Sequence, residues 1–158
     1  MDNLPNVRRS TYISAFGEGW GLYSEFLGKE IGFYETPYDD FGRLSYEMWR
    51  ACRLVVDTGM HVLGWSRQQA LDYMLENTAL SEHNVTTEID RYISWPGQAL
   101  SYKLGEIKIK ALRTKAEATL GTEFDLREFH AAILAHGSVT LTVLEQNIEL
   151  YIQQVKGQ

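Results

Sequence analysis

Residues 17–32 read GEGWGLYSEFLGKEIG, and the spacing of their apolar and glycine positions sets the fold class. With the preceding turn included, Phe16, Trp20, Tyr23, Leu27 and Ile31 recur at steps of three and four, the helical period. Ser10 and Thr11 are placed to cap this helix and Gly32 to stop it. Gly17, Gly21, Gly28 and Gly32 fall along one side of it. A glycine costs up to about 1 kcal/mol against alanine in a helix interior, so this stripe points to close approach of another backbone. Glu18 borders the stripe and shares a face with Leu22 and Glu25. From spacing alone it reads as a solvated or ion-paired carboxylate.

The same periodicity extends outward. Prolines occur only at positions 5, 37 and 96, each near an element boundary. A second helix covers roughly Tyr38 to Leu63, with Gly64 after it. Ser66 and Gln69 form a capping-box pattern for a third. Ser81 caps a fourth through Ile93, and Pro96 sits in the first turn of a long fifth ending before Gly121. Asp125 with Glu128 opens a sixth that Gly137 closes, and Thr140 opens the last. The expectation is an all-α fold of about seven helices, without persuasive strand alternation or internal repeat. Its 158 residues match one helical domain with one core.

Composition narrows the function classes. The chain has 21 acidic and 15 basic residues, a net charge of -6, which opposes the attraction that draws proteins to nucleic acid, so no nucleic-acid partner is expected. Its one cysteine, Cys52, excludes an internal disulfide and a cysteine-cluster metal site. No apolar run approaches the roughly 20 residues that span a bilayer, and the opening residues lack the apolar stretch of a signal peptide. The compartment is left open.

Three further groupings carry candidate chemistry. Arg50, Arg53, Asp57 and His61 form one polar ridge at steps of three, four and four, flanked by apolar Leu54, Val56, Met60 and Leu63. Such a ridge suits either a structural Arg53 to Asp57 ion pair with His61 packed beside it, or one wall of a cleft. Glu88, Arg91 and Tyr92 lie on one helix, with Gln98 and Tyr102 one turn apart on the next and Gly105 three residues beyond. A tyrosine hydroxyl suits a developing oxyanion, but it is equally a common core group. His83, His130 and His136 show no H-E-x-x-H spacing, so the sequence holds no self-contained zinc motif.

In order along the chain, FGEGWGLYSEFLGKEIGFY, RACRLVVDTGMHVLGWSRQQAL, EIDRYISWPGQALSYKLGEIKI and FDLREFHAAILAHGSVTLTVLE are similar to the C-terminal portion of the bacterial domain-of-unknown-function 885 family, from about Tyr12 to Glu145. That family resembles the gluzincin class of helical zinc metallopeptidases. The resemblance implies that the E-G-W motif supplies a metal-binding glutamate, Glu18. It places a V-D-T-G-x-H motif at Val56 to His61 and a P-G-Q-A-x-S-Y motif at Pro96 to Tyr102. His61 and Tyr102 are then candidates to hydrogen-bond the substrate carbonyl, with Arg91, Tyr92 and Gln98 as supporting or substrate-positioning groups.

The helix that carries the two histidine ligands and the general base in that class is not in these residues. The resemblance therefore implies the C-terminal part of a longer protein, with zinc and a peptide substrate in the full-length form and neither metal nor activity in this chain alone. The alternative is a non-catalytic helical interaction module that keeps the scaffold, with Met1 as a genuine initiator. Loss of an N-terminal half is expected to expose an apolar face and favour self-association or a partner chain.

Overall fold

The computed structural model describes residues 5–157, so Met1 lies outside the described residues. Among these, all regular structure is helical. The α-helices are α1 (Asn6–Ser10), α2 (Ser14–Glu30), α3 (Pro37–Val62), α4 (Arg67–Asn77), α5 (Glu82–Ser94), α6 (Ser101–Leu120), α7 (Leu126–Leu134) and α8 (Leu141–Lys156), with 3-10 turns at Gln98–Leu100 and Gly121–Glu123.

Seven of these helices correspond to the expected ones, and the caps explain why. Thr36 and Ser66 each close a reciprocal capping box, with Asp39 and Gln69. Ser81, Asp125 and Thr140 each accept a backbone N–H in the first turn of α5, α7 and α8. Gly32, Gly64 and Gly137 follow their helices at φ of 73°, 72° and 66°, the left-handed region glycine enters without a Cβ clash.

The additional helix is α1, and it overturns one expected cap. The Ser10 and Thr11 hydroxyls bond back to the carbonyls of Asn6 (3.1 Å) and Val7 (2.6 Å), so they finish α1 and do not start α2. The chain enters α2 through Ile13, whose N–H donates to Ser138 Oγ at 2.7 Å. Pro96 is a second correction. It does not begin α6, because Gly97 next to it has φ of 79° and forces a turn before the 3-10 segment.

The chain divides into two compact units, Met1–Trp20 with Leu104–Gln158, and Gly21–Lys103. In the first, Ile109, Leu112, Ala116 and Leu120 of α6 and Leu144, Ile148 and Ile152 of α8 recur at three- and four-residue steps and are buried with Phe129 and Ile133 of α7. Lys108 and Lys115 of α6 reach Glu145 and Glu149 of α8 at 2.9 and 2.6 Å. In the second unit, α3, α4 and α5 bury Cys52, Val56, Ala70, Met74, Val85, Ile89 and Tyr92, with Trp49 and Trp65 packed against them.

Close backbone approach does occur in α2, at a different glycine from those of the stripe. A Cβ on Gly19 would lie 2.6 Å from the Gly105 carbonyl carbon, and one on Gly105 would lie 2.6 Å from Gly19 Cα. The stripe residues have separate surroundings: Gly17 faces the Tyr12 ring, Gly28 faces the Tyr34 ring, and nothing lies within 4 Å of a Cβ built on Gly21. Gly105→Ala should therefore destabilise the protein by about 1–3 kcal/mol through overpacking, while Gly21→Ala should stabilise it by up to about 1 kcal/mol. Urea denaturation of the two variants checks this contrast.

Candidate functional site

Glu18 belongs to the first unit and stands on the second turn of α2, one residue before the glycine that meets Gly105. It is half-buried, and no hydrogen bond or ion pair engages it among the described residues. Trp20, the last residue of the E-G-W motif, sets its ring edge-on to His130 at 5.3 Å and 86°. The helix is thus held by a backbone contact and an aromatic contact at the two residues that follow Glu18, and the carboxylate itself is left uncommitted.

The remaining candidates lie in the second unit, where α3 is the central scaffold. Val56 is fully buried and Asp57 is 2% exposed. The predicted Arg53 to Asp57 pair does not form. Asp57 accepts the Gly97 N–H with both carboxylate oxygens, at 3.1 and 3.2 Å, and Arg53 turns to Glu88 at 3.1 Å. The reason is local demand: the turn at Pro96 and Gly97 presents a backbone donor that needs an acceptor. Gly59 leaves room for the Trp65 indole, which a Cβ would meet at 2.6 Å. His61, the last residue of the motif, places Nε2 3.1 Å from the Tyr92 carbonyl. A carbonyl only accepts, so that nitrogen carries the proton. The rest of the imidazole is exposed.

Tyr92 is fully buried, and its hydroxyl accepts from Arg53 Nε at 2.7 Å and Trp49 Nε1 at 3.1 Å. Burial pushes this phenol up to about 12, so it stays protonated. Glu88 Oε2 accepts from both Arg53 (3.1 Å) and Arg91 (2.8 Å), and Arg91 also donates to Gln98 Oε1 at 2.9 Å. Burial alone would raise the Glu88 carboxyl; hydrogen bonds from Arg91 and Tyr92 and the charges of Arg91 and Arg53 outweigh it and hold the group below its ordinary value. Tyr102 lies under two guanidiniums, 4.9 Å from Arg53 Cζ and 5.5 Å from Arg50 Cζ.

The structure thus brings Arg91, Tyr92, Gln98 and Tyr102 into one cluster with Arg53 and Glu88, with His61 joined to it through the Tyr92 carbonyl. Trp49 was not anticipated. It stacks on Arg53 at 4.2 Å, and its place one turn before Arg53 on α3 was the available signal. Beside the cluster, Tyr46, Trp49, Leu80, His83, Asn84, Thr87 and Glu88 enclose a cavity of about 290 Å³. A larger one, about 480 Å³, is lined by Phe41, Leu44, Met48 and the end of α4.

Among the described residues no group of three or more His, Cys, Asp or Glu side chains is disposed to hold a metal ion. Among the described residues no helix is long and apolar enough to cross a membrane.

The family profile described as "Bacterial protein of unknown function (DUF885)" matches residues 1–148. The chain is also similar to the crystal structure of the putative lipoprotein from Colwellia psychrerythraea, at 49% identity and a TM-score of 0.91, over 94% of this chain and 26% of that one. It therefore spans about a quarter of that relative, at 26% of its length. No functionally curated protein matches the sequence.

Because Glu88 is held below its ordinary value in the folded state, its stabilisation is fully present above the unfolded pKa, about 4.3. It is lost as pH falls through the lower, folded value. Glu88→Gln should cost roughly 2 kcal/mol at pH 7, less than a fully buried pair because Glu88 is partly exposed. The gap to the unmodified protein should close below about pH 4, as read by urea denaturation across pH.

Proposed function

The chain belongs to the bacterial DUF885 family, and we propose that it is the C-terminal helical part of a zinc peptidase, contributing Glu18 as a carboxylate metal ligand and cleft residues for peptide-bond hydrolysis. The supporting observation is Glu18 itself, half-buried and without a partner among the described residues, next to the Gly19 and Gly105 contact. A partly desolvated carboxylate without a protein partner is costly, and a cation ligand offsets that cost.

The donors of this chain do not fit a zinc ion by themselves. A catalytic zinc site uses three protein ligands, and no such group of donors occurs among the described residues. On this reading the two histidines and the general base come from the remainder of a longer polypeptide, consistent with the 26% of the Colwellia relative that the chain covers. When bound, zinc would activate a water and polarise the scissile carbonyl.

The chain's own residues have narrower roles. Tyr102 donates its hydroxyl proton to the substrate carbonyl oxygen as that oxygen gains charge. His61 hydrogen-bonds the substrate carbonyl through its Nδ1 side, since Nε2 is held by the Tyr92 carbonyl. Arg91 and Gln98 position the substrate, and Tyr92 holds Arg53 and Glu88 in place behind them. Alone, the chain is expected to be inactive.

In the full-length parent polypeptide, Glu18→Gln should abolish both stoichiometric zinc binding and peptide hydrolysis, and Tyr102→Phe should lower kcat by about 10²–10³ with zinc retained. Full hydrolysis by the Glu18→Gln protein with zinc still bound would refute the assignment.

A second reading, the helical interaction module, is favoured by one observation. Phe33, Tyr38 and Phe41 are 74%, 87% and 63% exposed, and Leu44 and Met48 continue the apolar face along α3 beside the larger cavity. That reading predicts self-association of this chain through the face. Light scattering should then show a dimer or larger species that Phe41→Ser with Met48→Ser returns to monomer, whereas a monomer before substitution counts against it.

A further inference from the structure

Arg50 has an anchored end and an under-bonded edge. Its Nη1 donates to the Tyr46 carbonyl at 3.1 Å, and its Cζ lies 5.4, 5.7 and 5.5 Å from the Tyr46, Trp49 and Tyr102 ring centres. Its Nε is shielded from solvent and has no hydrogen-bond partner. Its Nη2 has only Glu25 Oε1, at 3.5 Å, the outer limit of a hydrogen bond.

Nε and Nη2 together form the side of a guanidinium that takes a carboxylate through two parallel bonds. An unpaired cationic N–H is expensive in a side chain only 16% exposed. The neighbouring carboxylates do not relieve it. Glu88 is committed to Arg53 and Arg91, Glu47 is bonded by Arg43 and Lys103, and Asp57 is taken by Gly97. Glu25 itself is 37% exposed and loosely placed.

We propose that the Nε and Nη2 edge of Arg50 is a carboxylate-binding subsite that takes the C-terminal carboxylate of a peptide, with Glu25 as the loose internal occupant it displaces. The aromatic rings of Tyr46, Trp49 and Tyr102 flank the guanidinium and limit competing water. The subsite deepens the peptidase reading, on which the choice of a peptide as ligand rests. It selects substrates that end near the cleft over those that run through it.

The test uses this chain without metal or turnover, so failure of hydrolysis and failure of the subsite are separate results. Isotope-labelled protein is titrated with N-acetyl-alanyl-alanine, with its C-terminal amide, and with N-acetyl-glutamyl-alaninamide, following the Arg50 Nε–H and Trp49 indole resonances. The free acid should bind at least about tenfold tighter than the amide, the value of one charge-assisted bidentate contact. Glu25→Gln should tighten the acid further by removing the competitor. Arg50→Lys, which keeps the charge and loses the fork, should abolish the preference. Binding of the glutamyl amide as tight as that of the free acid would overturn the assignment to a C-terminal carboxylate. Equal binding of acid and amide overturns the proposal, as does an acid preference that neither Arg50→Lys nor Glu25→Gln changes.

Discussion

The meeting of Gly19 with Gly105 is the constraint on which the packing of the first unit depends. Helix interiors disfavour glycine because it loses the most backbone entropy on folding, so two glycines facing each other cost roughly 2 kcal/mol before any gain. What the pair permits is a crossing of α2 and α6 without intervening side chains, since a Cβ on either residue would sit 2.6 Å from the other's backbone. Glu18 precedes that crossing by one residue and Trp20 follows it. The place of Glu18 on α2 is therefore set by backbone geometry, and no described residue engages its oxygens.

The second unit uses polar chemistry where the first uses steric fit. Arg53 is 4% exposed, and its charge is tolerable there because Glu88, the Tyr92 hydroxyl and the Trp49 ring surround it. Asp57 is still more buried and is satisfied by one backbone donor, the N–H of Gly97. These two bonds tie α3 to α5 and to the turn that follows it. They place Gln98 beside Arg91 and Tyr102 under the arginines. The V-D-T-G-x-H residues thus hold the P-G-Q-A-x-S-Y residues, as one motif braces the next.

Much of the fold was legible because caps and stops are local. A serine accepting from the third N–H of its helix, or a glycine at positive φ after the last turn, depends on a few adjacent residues, so Ser66, Ser81, Asp125, Thr140, Gly32 and Gly64 read correctly. What failed were choices among equivalent local options. Ser10 and Thr11 can cap a following helix or end a preceding one, and only the contact of Ile13 with Ser138 decides between them. Arg53 is spaced for Asp57, yet a tertiary carboxylate and a tertiary backbone donor separate the two. The glycine stripe pointed correctly to close packing on α2, but periodicity could not distinguish Gly17 and Gly21 from Gly19, whose partner lies in α6. The candidate site was legible as groupings of residues; the sharing of Glu88 by two arginines was not, because it joins different helices.

On the proposed reading, the half-buried, unengaged Glu18 carboxylate is a zinc ligand in the complete polypeptide. Anomalous diffraction at the zinc edge, on crystals of that polypeptide, tests it most directly. The account predicts one zinc peak about 2.0–2.2 Å from a Glu18 oxygen, completed by two histidines from outside these residues. A zinc peak coordinated without Glu18, or a folded, zinc-saturated protein with no peak near it, would contradict the account.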